Sequence, residues 1–348
     1  MAFTGIDTVI FGASDLKVAR RFFGDWGLRK LKDNASGLIF ETGIGSQVVV
    51  RTEDARNLPG RLSGGSNFRE VIWGMATPMD LDEIGDRLSR DRAVQLDKNG
   101  TLHTVDDCGV NIGFTVWHRK RERKREGTPF NTPGHRARVD ATATIYERAR
   151  PWRMGHVVFL VPDARAAENF YVQRLGFTLS DRYAGGAGVF LRHAKRSDHH
   201  NLFFIKSRDG RTDLHHIAFE VRDIHEVFGG GLAFSARGWA TEVGPGRHPI
   251  SSAYFWYFKN PLGGAIEYFS DPDYVTERWK PSNFRANRFS EWHLVDGIHG
   301  IDDGKPRPSL AAVKAAAVPV PGAEPQRTGV GIVPMRARTA AEKNLGRR

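Results

Sequence analysis

Short runs of β-branched and aromatic residues alternate with amphipathic stretches over most of the chain. Residues 155–161, Gly-His-Val-Val-Phe-Leu-Val, read as a strand. Asp163 can then cap a helix whose apolar positions Ala167, Phe170, Tyr171 and Leu175 share one face, and Gly176 can end it. Strand-like runs follow at 187–191 and 201–205. A second unit of the same kind begins at Leu214–Val221, continues through a helix near 223–234, and closes with strands at Tyr254–Phe258 and Ala265–Phe269. The Asn-Pro-Leu-Gly-Gly turn at 260–264 predicts that this last pair is an antiparallel hairpin.

The first half of the chain repeats the pattern. Residues 5–28 match 155–177 in the order strand, helix, glycine stop, and a second unit runs from Phe68–Met75 through a helix near 79–90 to a strand around Val110–Val116. Four strand-helix-strands units predict an α+β fold in two halves, 1–117 and 151–275, joined by a connector at 118–150. Residues 276–348 form an extension, expected to be largely disordered beyond about 305, where Pro, Ala and charge dominate.

Charge changes this picture little. The net charge is +11, but residues 119–126 carry +4 and the residues beyond 300 carry +5, so subtracting these nine leaves +2 for the rest. The basic excess lies in a connector and a tail without interleaved aromatics, which predicts solvated segments and no nucleic-acid partner. No apolar run approaches the roughly 20 residues that cross a bilayer, and the N-terminus lacks the basic-then-apolar order of a secretion signal. With Cys108 as the one cysteine, a cytoplasmic protein without disulfides or a Cys-based zinc site is expected.

The chemistry concentrates in the second half, where eight of the 13 histidines lie between 156 and 248 and none precedes residue 103. His156, His216 and Glu267 each sit in a strand-like run. Two imidazoles and a carboxylate on rigid strands suit a divalent metal with open coordination positions, the set used in non-haem Fe(II) oxygen chemistry. His216 is preferred to His215 because strand neighbours point to opposite faces.

With these residues in these places, the chain resembles the vicinal oxygen chelate superfamily, and within it the two-domain type I extradiol ring-cleaving dioxygenases. The resemblance covers residues 1 to about 275 and is strongest over 155–272. It implies paired βαβββ modules, metal ligands His156, His216 and Glu267, and Fe(II) as cofactor with Mn(II) as the alternative. It places His200 as the acid-base residue beside the oxygen site, with neighbouring His199 as the competing choice, and His248 and Tyr257 as hydrogen-bonding partners of a bound diol. Tyr257 also has a plain reading as a core aromatic among Phe255, Trp256 and Phe258. The implied reaction inserts both atoms of O2 into a catechol with cleavage beside the diol, in a homo-oligomer. In the first half the corresponding places hold Asp7, Glu70 and Gly113, a set without imidazole, so that half is expected to be non-catalytic.

Other functions on the same fold are a glyoxalase-like isomerase, a thiol transferase and a metal-free small-molecule binding protein. The isomerases and transferases resemble single modules and leave His200, His248 and Tyr257 without roles. A binding protein needs no metal triad.

Overall fold

The computed structural model describes residues 1–117, 126–285 and 289–294. The charged run at 118–125 and the tail from 295 onward therefore lie outside the described residues, and with them the expectation of disorder beyond 305.

In the first half, β1 (Phe3–Ala13), α1 (Leu16–Asp25), β2 (Arg29–Asn34), β3 (Gly37–Glu41) and β4 (Gln47–Thr52) are followed by β5 (Phe68–Met75), α2 (Pro78–Leu88), β6 (Gln95–Leu96), β7 (Leu102–Val105) and β8 (Asn111–Val116). The strands form one sheet in the order β2-β3-β4-β1-β5-β8-β7-β6. A small hairpin, β9 (Asn131–Thr132) and β10 (His135–Arg136), lies between the halves.

The second half repeats the scheme with β11 (Arg153–Val161), α3 (Ala164–Asn169), β12 (Thr178–Tyr183), β13 (Gly188–Arg192), the short β14 (Ser197–Asp198) and β15 (Leu202–Lys206). Then come β16 (Asp213–Glu220), α4 (Ile224–Ala236), β17 (Thr241–Arg247), β18 (Tyr254–Lys259) and β19 (Ala265–Ser270). Its main strands run β12-β13-β15-β11-β16-β19-β18-β17, with short strands at 283–284 and 292–293 on the two edges. The fold is α+β, as the hydrophobic pattern predicts.

Each helix opens on a side-chain cap. Asp15, Thr77, Asp163 and Asp223 accept from backbone amides two or three residues ahead, which satisfies donors that the helix itself cannot. The helix after β11 departs from a regular α-helix: Phe170–Arg174 form a π-helical turn, and Tyr171 within it donates to the buried Asp106 of the first half at 3.0 Å. Burial pushes the Asp106 carboxyl up to about 6, because the charged form loses hydration there.

The two halves share one continuous core. Trp26 stacks on Tyr268 at 3.5 Å, and the Tyr268 hydroxyl donates to the Trp26 carbonyl at 2.7 Å. Phe22 meets Phe234, Phe68 meets Phe159, and Trp73 meets Phe177 edge to face. The described part of the connector is docked rather than free. Thr128 and Arg150 amides donate to Asp223 and Glu226 of α4, and the glycines of that helix accept the connector at close range. A Cβ on Gly229 would meet the Tyr146 carbonyl at 2.1 Å, and one on Gly230 would meet Ala149 at 2.5 Å. Three glycines in a row weaken a helix, but here they let chain and Trp256 ring pack against it.

Candidate metal centre

The middle of the second sheet brings the candidate residues to one face. β11 pairs with β16 in antiparallel register, so His156 lies opposite Ala218 and Val158 opposite His216. β19 runs parallel to β16, with Glu267 beside Ala218, and Tyr257 of β18 lies directly across from Glu267. Since strand residues two apart share a face, His216 and Ala218 point the same way, and the small Ala218 leaves space between His156 and Glu267. Gly155 adds to this. It sits at a bulge in β11, and a Cβ there would strike the Phe269 ring at 2.2 Å, the same ring that packs 5.0 Å from His156.

The resulting triad is tight and buried. One donor atom from each of His156, His216 and Glu267 lies within 4.8 Å of the others, and Glu267 is fully buried. His156 Nε2 stands 3.1 Å from Glu267 Oε2. His216 Nε2 approaches the same oxygen at 3.3 Å without hydrogen-bonding geometry, so His216 Nε2 and Glu267 Oε1 are both buried and without a hydrogen-bond partner. Buried lone-pair atoms left unsatisfied are costly unless a cation takes them up, and the donor set suits a divalent transition metal. The residues present fit such an ion.

Proton placement agrees with that fit. Burial holds His216 down to about 4, and so neutral at ordinary pH. Its Nδ1 lies 2.7 Å from His215 Nδ1, which requires one proton between them; when His216 carries it, Nε2 keeps the lone pair that a metal needs. Burial opposes ionisation of Glu267, but the imidazoles of His156, His216 and His248 outweigh it and hold the carboxyl well below the usual range.

The other candidates surround the triad. The His200 ring centroid is 4.4 Å from that of His156, and burial pushes its pKa well below the ordinary value. On the opposite flank, His248 Nδ1 is fixed by the Phe289 carbonyl at 2.7 Å, which leaves its Nε2 to accept from the Tyr257 hydroxyl at 3.1 Å. Tyr257 is buried, and burial raises its pKa well above 10, so the hydroxyl stays protonated. Val158, Phe190, Phe203 and Ile250 form an apolar cluster beside this group, with Phe190 5.2 Å from His200.

All six sequence candidates therefore meet in one place. Two features escape a reading of the sequence. His199 and His215, set aside there as the competing or structural member of each His-His pair, touch their neighbours through Nδ1. Asp181 on β12 joins the group through His199 Nε2 at 2.7 Å, from 18 residues away and with no motif to mark it.

Comparison with known proteins places this half of the chain. Residues 153–273 match the model of the Glyoxalase/Bleomycin resistance protein/Dioxygenase superfamily. The segment is a member of that superfamily. The chain is 33% identical to Metapyrocatechase 2 of Cupriavidus necator over 169 residues, 48% of this chain and 50% of that protein. It is 32% identical to the 3-methylcatechol 2,3-dioxygenase of Pseudomonas putida over 146 residues, 40% and 48% of the two chains. The matches thus span about half the length of these curated relatives. Among solved structures, the Mn(II)-bound glyoxalase from Novosphingobium aromaticivorans superposes with a TM-score of 0.67 at 19% identity, over 89% of this chain and 99% of that one, a likeness of fold. No helix among the described residues is long and apolar enough to cross a membrane.

Proposed function

We propose that this superfamily member is an extradiol dioxygenase: residues 151–275 form the catalytic half, residues 1–117 a non-catalytic half, and the substrates are a catechol and O2. The reading is carried by the convergence of His200, His248 and Tyr257 on a buried two-histidine, one-carboxylate triad, supported by the ring-cleaving activities in the names of the relatives. His156, His216 and Glu267 would hold Fe(II), with Mn(II) as the alternative. The metal, when bound, lowers the pKa of a chelated diol and couples its electrons to oxygen.

The protein's own groups divide the remaining work. Tyr257 and His248 bind and orient a diol oxygen on the Glu267 side, with the Tyr257 proton as donor. His200, neutral and on the opposite flank, can take a proton and later return one to the oxygen being cleaved. Val158, Phe190, Phe203 and Ile250 offer an apolar wall against an aromatic ring and keep water away. The same reading expects a homo-oligomer working in the cytoplasm.

The test is metal analysis followed by anaerobic addition of a panel of catechols and then air. Metal bound at one per chain, oxygen uptake, and a yellow ring-opened product are expected. Stoichiometric metal with no oxygen uptake on any catechol would point away from ring cleavage and toward another superfamily chemistry.

A further inference from the structure

Behind His200 stands a chain of groups that takes no part in metal or diol binding. Asp181 and His199 are each 1% exposed. His199 Nε2 lies 2.7 Å from Asp181 Oδ2, and His199 Nδ1 lies 3.1 Å from His200 Nδ1. The second oxygen of Asp181 accepts from the Ser282 amide at 2.5 Å, and the His199 amide donates to the Asp273 carbonyl at 2.7 Å. Trp279 and Phe190 meet the His199 ring edge to face at 5.7 and 5.5 Å. The imidazole is held on every side.

We propose that Asp181 and His199 are positioning residues that lock His200 in the tautomer with hydrogen on Nδ1 and an open lone pair on Nε2. This rests on the assignment of His200 to proton transfer in the proposed reaction. An ionised carboxylate only accepts, so His199 must place its hydrogen on Nε2. With His199 uncharged, its Nδ1 carries a lone pair, and a 3.1 Å contact between two Nδ1 atoms requires one hydrogen, which His200 then supplies. His200 Nε2 is left as an acceptor, the state in which the ring can take a proton rather than present one. The logic is that of a carboxylate fixing the tautomer of a catalytic imidazole, extended through one more ring.

The Ser282 amide makes the lock testable by a single atom. It demands an acceptor at Asp181 Oδ1, so in Asp181→Asn the amide oxygen stays there and the NH2 faces His199 Nε2. That nitrogen must become the acceptor, His199 hydrogen moves to Nδ1, and His200 is forced into the opposite tautomer, with hydrogen on Nε2.

The experiment is 15N-imidazole NMR on the full chain loaded with diamagnetic Zn(II), combined with steady-state kinetics of the Fe(II) form. In the wild type, His200 hydrogen is expected on Nδ1 and His199 hydrogen on Nε2; in Asp181→Asn both exchange places. The variant should lose about 100-fold in kcat, in the range for a proton-transfer group, with metal content and catechol KM close to wild type. A wild-type His200 with hydrogen on Nε2 overturns the proposal even if the variant does not fold. A variant with unchanged tautomers and kcat overturns it as well. If the wild type cleaves no catechol, the functional reading fails, and the NMR result still decides the tautomer lock.

Discussion

The two halves use the same strand order to opposite ends. In the second sheet the three central places hold His156, His216 and Glu267. In the first, strand register puts Glu70 where His216 stands and Gly113 where Glu267 stands, as the sequence suggests, but the remaining place is Thr8 and not Asp7. Thr8 lies opposite Ile72 just as His156 lies opposite Ala218, because Asp7 occupies a bulge in β1 that sequence alignment cannot see. His103, across from Gly113, takes the place of Tyr257 and bonds Glu70 at 2.7 Å. The hydrogen bond to Glu70 raises the His103 pKa, so the first half pairs one oxygen of its buried carboxylate with a histidine inside the sheet, while Glu70 Oε2 is left without a partner. In the second half Glu267 Oε2 meets His156, while His216 Nε2 and Glu267 Oε1 stay unpaired. Each sheet thus leaves one carboxylate oxygen unpaired, and the second adds to it an unpaired imidazole nitrogen, His216 Nε2, with two further imidazoles close by.

The largest effect expected from breaking this contrast is at the triad. His216→Ala should reduce bound metal from one per chain to almost none, read by metal analysis, and abolish ring cleavage with it. Full activity in the metal-free variant would end the account. His200→Phe should separate binding from chemistry, with metal retained and turnover down by about 10²–10⁴-fold. Loss of metal in that variant would mean that His200 is a ligand.

Acid should expose the buried imidazole of the second half without mutation. His216 is held at about 4 in the folded protein against about 6.5 unfolded, so the unfolded chain binds more protons between those values. The stability from keeping His216 neutral is fully present above pH 6.5 and is lost as pH falls toward 4, a change of about 3 kcal/mol. Denaturant melts of the metal-free protein at pH 7 and pH 4.5 should show it, and a stability independent of pH would contradict the buried neutral imidazole. Gly155→Ala drives a methyl into the Phe269 ring and should cost about 1–3 kcal/mol in the same melts, with weakened metal affinity as Phe269 presses on His156. The smallest effect belongs to the first half: Glu70→Gln should leave metal content and turnover unchanged, and a loss of either would show that Glu70 serves the site.

Much of this was legible in the chain. Hydrophobic runs marked β11, β16 and β19, and Asp163 and Gly176 bounded a helix, because local propensity and capping act over a few residues. The triad could be read because each of its residues lies inside a strand whose alternation fixes its face. The π-helical turn after Asn169 could not, since Tyr171 within it bonds Asp106, 65 residues away and outside any local pattern. Asp181 was equally hidden. Its partnership with His199 depends on how β12 curls past the segment before β15, a tertiary fact without a sequence period. The docking of the connector onto Gly229 and Gly230 follows the same rule, because glycines in a helix signal close approach but do not name the partner.

The most direct test is an anomalous difference map, recorded at the iron edge, from crystals of the Fe(II)-loaded protein. A single strong peak within bonding distance of His156 Nε2, His216 Nε2 and a Glu267 oxygen, with nothing beside Glu70 and His103, is the predicted result. A peak elsewhere, or none beside the triad in protein that carries stoichiometric iron, would contradict it.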